Sequence, residues 1–296
     1  MICKRFFSTL IFLFVINFSF AETNIFDMNS EKILYKSVDS IELNLHVYRP
    51  ENFDRSKIYN CIVFFHGGGW KSGSYKQFER QSKYFASRGM IAISVEYRIK
   101  NKHGTSPIQA MEDAKSAIRY IRLNSESLSI NPERIAAAGG SAGGHLAAVS
   151  GNIELFDNKD ENLSISSKPN LLILYNPVLD FGPKKFDWIS DPSMASPIKN
   201  ITKGAPPTII LTGTADKLIP VQSISNYKAL MESVGSRCDV VFYEGAEHAF
   251  FNHGDHFIDT LYQSDLFLKS HWYLKGHPTI KNLSLIHISE PTRPST

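Results

Sequence analysis

Two periods of apolar residues alternate along this chain, and the change from one to the other marks its elements. From Ile41 to Val47 every second residue is apolar, with Ile41, Leu43, Leu45 and Val47 on one face. That is the pattern of a half-buried strand, and the shorter alternation around Ile33–Tyr35 supplies a partner for a hairpin. Pro50–Tyr59 is a polar connection. Continuous apolar runs then recur at Asn60–Phe65, Met90–Tyr97, Arg134–Ala138, Leu171–Tyr175, Thr208–Leu211 and Val240–Tyr243. Each has the length of a strand buried on both faces. Between them the period changes. In Pro107–Asn124 the apolar residues Ile108, Met111, Ala114, Ala117, Ile118 and Ile121 are spaced by threes and fours, so this stretch is an amphipathic helix. Helical stretches are also expected at Phe78–Ser87, Gly143–Asn152, Pro220–Val234 and Phe257–Ser270. Strands alternating with helices predict an α/β fold of one domain, its central sheet mostly parallel and covered on both faces. Functional groups in such a sheet belong at the carboxyl ends of the strands.

The two ends of the chain do not follow this pattern. Lys4 and Arg5 precede an apolar stretch from Phe6 to Phe20, and Ser19-Phe20-Ala21 is a small-x-small cleavage site. Residues 1–21 therefore read as a signal peptide, too short for a membrane span, and direct the protein out of the cytoplasm to the periplasm or the medium. At the other end, Leu283 to Arg293 resembles the in-frame translation of a transposase adapter used in preparing sequencing libraries. Residues 283–296 are accordingly set apart from the domain at 22–282, as a tag would be. The whole chain carries 32 Lys and Arg against 29 Asp and Glu; losing Lys4 and Arg5 leaves 30 against 29, a net charge of +1. So small an imbalance gives no reason to expect nucleic acid or an anionic membrane surface as partner. Oligomeric state is not readable. Of three cysteines, Cys61 and Cys238 remain after cleavage and look like small buried hydrophobes that an oxidising compartment could pair. Neither sits in a cluster of metal-ligand spacing, so no metal or cofactor is expected.

Candidate chemistry gathers after four of the strands. Gly139-Gly140-Ser141-Ala142-Gly143 joins a buried strand to the start of a helix. A serine at such a turn projects its hydroxyl outward, beside the first free N–H groups of the helix. Ser141 is the nucleophile candidate, but a serine hydroxyl needs a base to take its proton and an acid to orient that base. His248, directly after the final strand, has the right address for the base. His253 and His256 sit further into the last helix. His145 lies one turn beyond Ser141 and is expected to pack locally, while His66 scaffolds the glycine run that follows it. Asp216, after the strand at 208–211, is the candidate acid; its alternative role is a helix N-cap. Asp180, Asp187 and Asp191 fall in an irregular segment, and Asp239 begins a strand, at the wrong end of the sheet. His66-Gly67-Gly68-Gly69 follows the strand at 60–65. Glycines there let amides approach a tetrahedral oxyanion, so Gly67 and Gly68 are candidate donors, with Ala142 as partner. Glu112-Asp113 reads as a solvated or structural pair on its helix.

Together His66-Gly67-Gly68-Gly69-Trp70, the run from Gly139 to Ala147, Gly213-Thr214-Ala215-Asp216 and His248-Ala249-Phe250 resemble the α/β-hydrolase esterases. The resemblance covers about residues 31–275 and is similar above all to the acetyl xylan and feruloyl esterase branch, near the hormone-sensitive-lipase-like carboxylesterases. The latter group usually carries an acidic residue where Gly140 stands. The resemblance implies an α/β-hydrolase fold with a lid-like insertion, and hydrolysis of small-molecule or carbohydrate esters through an acyl-enzyme, without cofactor. The insertion is expected at 176–207. Trp70, Trp188, Phe250 and Phe251 are expected to line a pocket for the acyl group or to pack. An amide-cleaving enzyme and a non-catalytic binding protein on the same fold are the alternative readings.

Overall fold

The computed structural model describes residues 28–182 and 186–280; the signal segment and the tail at 283–296 lie outside the described residues. A hairpin of β1 (Glu31–Val38) and β2 (Ile41–Tyr48) opens the chain, followed by β3 (Tyr59–Phe65). A single 3-10 turn, Tyr75–Phe78, leads into α1 (Glu79–Ser87), then β4 (Ile91–Val95) and the short turn α2 (Lys100–His103). Next come α3 (Pro107–Leu123), the one-turn α4 (Ser125–Leu128), β5 (Ile130–Gly140) and α5 (Ala142–Asn152). The remainder is β6 (Leu171–Tyr175), β7 (Thr208–Gly213), α6 (Val221–Ser233), β8 (Cys238–Tyr243) and α7 (Gly254–Ser270).

These strands form one sheet in the order β1-β2-β4-β3-β5-β6-β7-β8. β1 and β2 pair antiparallel with each other, as do β2 and β4; every other neighbouring pair is parallel. Side-chain alternation sorts the apolar residues into two cores. Cys61, Val63 and Phe65 of β3 face α3, α5 and α6, while Ile62 and Phe64 face α1 and α7. Parallel strands with helices on both faces have no solvated side, which is why their sequences run apolar without alternation. α3 begins where Ser106 and Gln109 form a capping box, followed by Pro107 at the first helical position.

The chain leaves β3 toward β4 on one side and returns to β5 on the other. That reversal makes the carboxyl ends of β3 and β5 the topological switch point, the place at which open α/β sheets bind ligands. It is built from the two glycine-rich segments of the sequence.

One expectation needs correction here, and two that were left open are decided. β2 is not half-buried: from Leu43 to Tyr48 both faces are covered. On the second face Glu96 accepts from Asn44 and bonds His46 Nε2 at 2.8 Å, and Tyr75 stacks on the His46 ring. Of the two readings of Glu112-Asp113 the structural one holds: Asp113 is fully buried, with Lys36 Nζ at 2.8 Å and Arg98 Nη2 at 2.7 Å, while Glu112 reaches Arg98 from the rim. Cys61 and Cys238 are free and buried. β3 and β8 are separated by three strands, about 19 Å at the usual strand spacing, too far for a disulfide. Burial raises both thiols, that of Cys238 to about 12.

Candidate active site

Ser141 directly follows β5 and is the N-cap residue of α5, with φ 53° and ψ −118°. A non-glycine residue there is strained, and the strain is held by hydrogen bonds on either side. The Ser141 amide donates to Tyr175 O at 2.9 Å, and its carbonyl accepts from the His145 amide at 3.0 Å. The hydroxyl, so projected, lies 3.0 Å from His248 Nε2. His248 Nδ1 lies 2.7 Å from Asp216 Oδ2. Since a carboxylate only accepts, Nδ1 carries the proton and Nε2 offers its lone pair to the serine. Asp216 stands where the acid was expected, bonded to His248, but it is not a helix N-cap: that position before α6 is Pro220. Its Oδ1 accepts from the amides of Leu218 at 2.8 Å and Ile219 at 3.0 Å, forming the turn before α6, and Oδ2 is left for the histidine. The acid and histidine loops are also bonded to each other, Ala215 N donating to Ala246 O at 3.0 Å and Gly245 N to Thr214 Oγ1 at 2.8 Å.

The glycine segment after β3 lies against this serine: a Cβ at Gly67 would stand 3.5 Å from that of Ser141. Gly68 has φ +116°, and its carbonyl accepts from both Lys71 N and Ser72 N, a tight turn open only to glycine. Of the expected donors, the Gly67 amide is already engaged, donating to Gln77 Oε1 at 2.6 Å. Gly68 and Ala142 keep amides that no other described group takes up. His66 scaffolds the loop as expected. Its Nδ1 donates to Gly67 O at 2.7 Å, its ring stacks on Tyr97, and burial lowers it to about 4. Among the described residues no three His, Cys, Asp or Glu side chains converge as a metal site requires.

Comparison with known proteins agrees with this geometry. A family model described as BD-FAE matches residues 45–191, and one described as the dienelactone hydrolase family matches residues 181–267. Esterase 2 of Thermogutta terrifontis is 39% identical, with a TM-score of 0.81 over 84% of this chain and 97% of that one, in a structure where it is phosphoramylated by tabun. It has also been solved with propionate and with butyrate bound. The chain belongs to the α/β-hydrolase serine esterases. Esterase LipC of Mycobacterium tuberculosis is 28% identical over 75% of this chain and 60% of its own length. An acetylxylan esterase of Xylanibacter ruminicola is 25% identical over 64% and 41% respectively. The chain thus spans about half the length of these two curated relatives.

In this esterase the aromatic residues divide. Trp70 packs on Phe181 at 5.7 Å between ring centres, and Phe181 on Trp188 at 5.6 Å, so one aromatic cluster joins the glycine loop to the insertion. Phe250 does not join it; it packs on Tyr243 at 4.7 Å and on His256 at 5.3 Å. Phe251 is buried under the nucleophile turn, where a Cβ at Gly140 would collide with its ring. The missing acidic residue at position 140 thus has a local cause: the Phe251 ring occupies its place. His145 is not a local contact. It is fully buried, its Nε2 donates to Ala195 O at 2.8 Å in the insertion, and burial lowers it to about 4.

Two polar residues of the site went unseen in the sequence. Asn176, buried with φ 41° after β6, donates from Nδ2 to Asp216 Oδ2 at 3.1 Å. Gln77 holds the Gly67 amide. Neither stands in a motif, and a lone amide side chain in a loop has no pattern to announce it.

Proposed function

We propose that this chain is a secreted carboxylic ester hydrolase that works through an acyl-enzyme on short-chain esters, including acyl groups carried by carbohydrates. The single observation that carries the reading is the unbroken chain Ser141 Oγ, His248 Nε2, His248 Nδ1, Asp216 Oδ2, with contacts of 3.0 and 2.7 Å. His248 takes the serine proton as Oγ attacks the ester carbonyl, and Asp216 stabilises the imidazolium that forms. The oxyanion is received by the amides of Gly68 and Ala142. His248 then returns the proton to the departing alcohol, and water repeats the sequence to release the acid.

Short acyl chains are favoured by the propionate and butyrate found in the Thermogutta terrifontis enzyme, and carbohydrate esters by the acetylxylan esterase relative. Export rests on the sequence of residues 1–21. The test is hydrolysis of p-nitrophenyl acetate and butyrate by wild type and Ser141→Ala. The variant is expected to lose about 10⁴-fold or more in kcat. Equal rates would remove the assignment. Acetylated xylan and feruloyl sugars presented beside simple alkyl esters rank the substrates, and a mature N-terminus at Glu22 in protein recovered from the periplasm or medium checks export.

A further inference from the structure

Gln77 sits half-buried in the 3-10 turn Tyr75–Phe78, outside all four motifs, yet it touches one of them and is tied to a second through Asn252. Its Oε1 accepts from the Gly67 amide at 2.6 Å, and its Nε2 donates to Asn252 Oδ1 at 3.4 Å. Asn252 Nδ2 in turn donates to Ala249 O at 3.0 Å, the residue after His248. Each side-chain amide is therefore oriented, because only its oxygen can accept on one side and only its nitrogen can donate on the other. The result is a head-to-tail run of amides from the glycine loop to the histidine loop. Bonds aligned in this way polarise one another.

What this run restrains is the donor of the oxyanion site. Gly67, Gly68 and Gly69 have no side chains to anchor them, and two of the three adopt positive φ. A planar trans peptide transmits orientation across its bond: fixing Gly67 O makes the Gly68 N–H point the opposite way. His66 Nδ1 fixes that carbonyl at 2.7 Å, and Gln77 fixes the preceding peptide through the Gly67 amide. The far end of Gln77 is tied beside the base.

We propose that Gln77 is a positioning residue that keeps the oxyanion-binding amide and the catalytic histidine in register, so that both meet one tetrahedral centre. This rests on the esterase reading of the site. Its consequence is confined to the transition state, where the oxyanion exists, and leaves ground-state binding of the ester nearly untouched.

The experiment uses the whole chain with p-nitrophenyl butyrate, the active serine being counted by fluorophosphonate titration. Gln77→Met is expected to lower kcat per titrated serine by about 10- to 100-fold, with KM within about 3-fold. Asn252→Leu, at a partly exposed position, breaks both outer bonds of the run but leaves that of Gln77 to the Gly67 amide, and is expected to lower it by a smaller factor. The double variant is expected to lose no more than Gln77→Met alone. A kcat per titrated serine within 2-fold of wild type in Gln77→Met, or losses that multiply in the double variant, would overturn the proposal while leaving the esterase reading intact. Wild type without ester turnover would instead remove that reading. Should Gln77→Met fail to fold, Asn252→Leu alone decides: an unchanged kcat overturns the proposal, and a drop in kcat at constant KM supports it.

Discussion

A buried carboxylate does useful work only if every lone pair has an assigned partner. Asp216 divides its two oxygens between the turn it builds and the histidine it orients, and Asn176 donates to the oxygen shared with His248. Removing that amide frees Oδ2 to rotate away from the imidazole. Asn176→Ala is expected to lower kcat about 10-fold or more with little change in KM, as steady-state kinetics on a p-nitrophenyl ester would read out; unchanged kcat would make Asn176 a packing residue only. The nucleophile turn offers a second case. Because the Phe251 ring fills the place of a side chain at Gly140, Gly140→Asp would bury a charge against an aromatic ring as well as overpack it. A loss of several kcal/mol is expected in urea unfolding, and a stable, active Gly140→Asp would refute the steric account. At this scale Ser141, His248 and Asp216 were readable because each sits in a motif whose order is prescribed. Gln77 and Asn176 were not, since each stands in a loop outside any motif and finds its partner only through the path of the folded chain. The Gly67 amide was misassigned for the same reason: only the fold shows that Gln77 has already taken it.

Elements were recovered wherever the apolar period was long. The helix at 107–123 announced itself through six apolar residues on one stripe, and the buried strands through uninterrupted runs. β2 was read as half-buried because Asn44 and His46 are polar. The structure covers them all the same, having supplied Glu96 and Tyr75 to satisfy them. A polar residue on a strand reports that it needs a partner, which is not the same as needing water. The same rule holds on α3, where Asp113 bonds Lys36 and Arg98 inside the protein. Deleting one member of such a network leaves the others charged and buried. Asp113→Ala is therefore expected to cost about 3–5 kcal/mol in chemical denaturation, and a cost below about 1 kcal/mol would show that Lys36 and Arg98 find solvent.

For the molecule as a whole, two buried histidines contribute to how stability responds to acid. Burial lowers His66 and His145 to about 4 in the native protein, against an ordinary value near 6.5. Between those values the unfolded chain takes up protons that the native chain refuses, so stability falls as pH drops from 6.5 toward 4 and is unaffected by these groups above it. Each contributes a slope of up to about 1.4 kcal/mol per pH unit inside that window. Urea unfolding from pH 7 to 4.5 should show the decline, and His145→Gln should make it shallower; the same slope in the variant would exclude His145. By itself the sequence determined the alternation of strands and helices, the serine, the base and the acid, and the end of the sheet at which they stand. Those follow from local period and chain order, which are properties of neighbours in sequence. Tertiary structure alone decided which amide remains free for the oxyanion, which aromatic rings meet across the insertion, and which polar side chains hold the reacting groups in place. Those contacts join residues such as Gln77 and Gly67, ten positions apart, and Gln77 and Asn252, 175 apart, and a hydrogen bond or a ring contact is specified by geometry that no one-dimensional pattern contains.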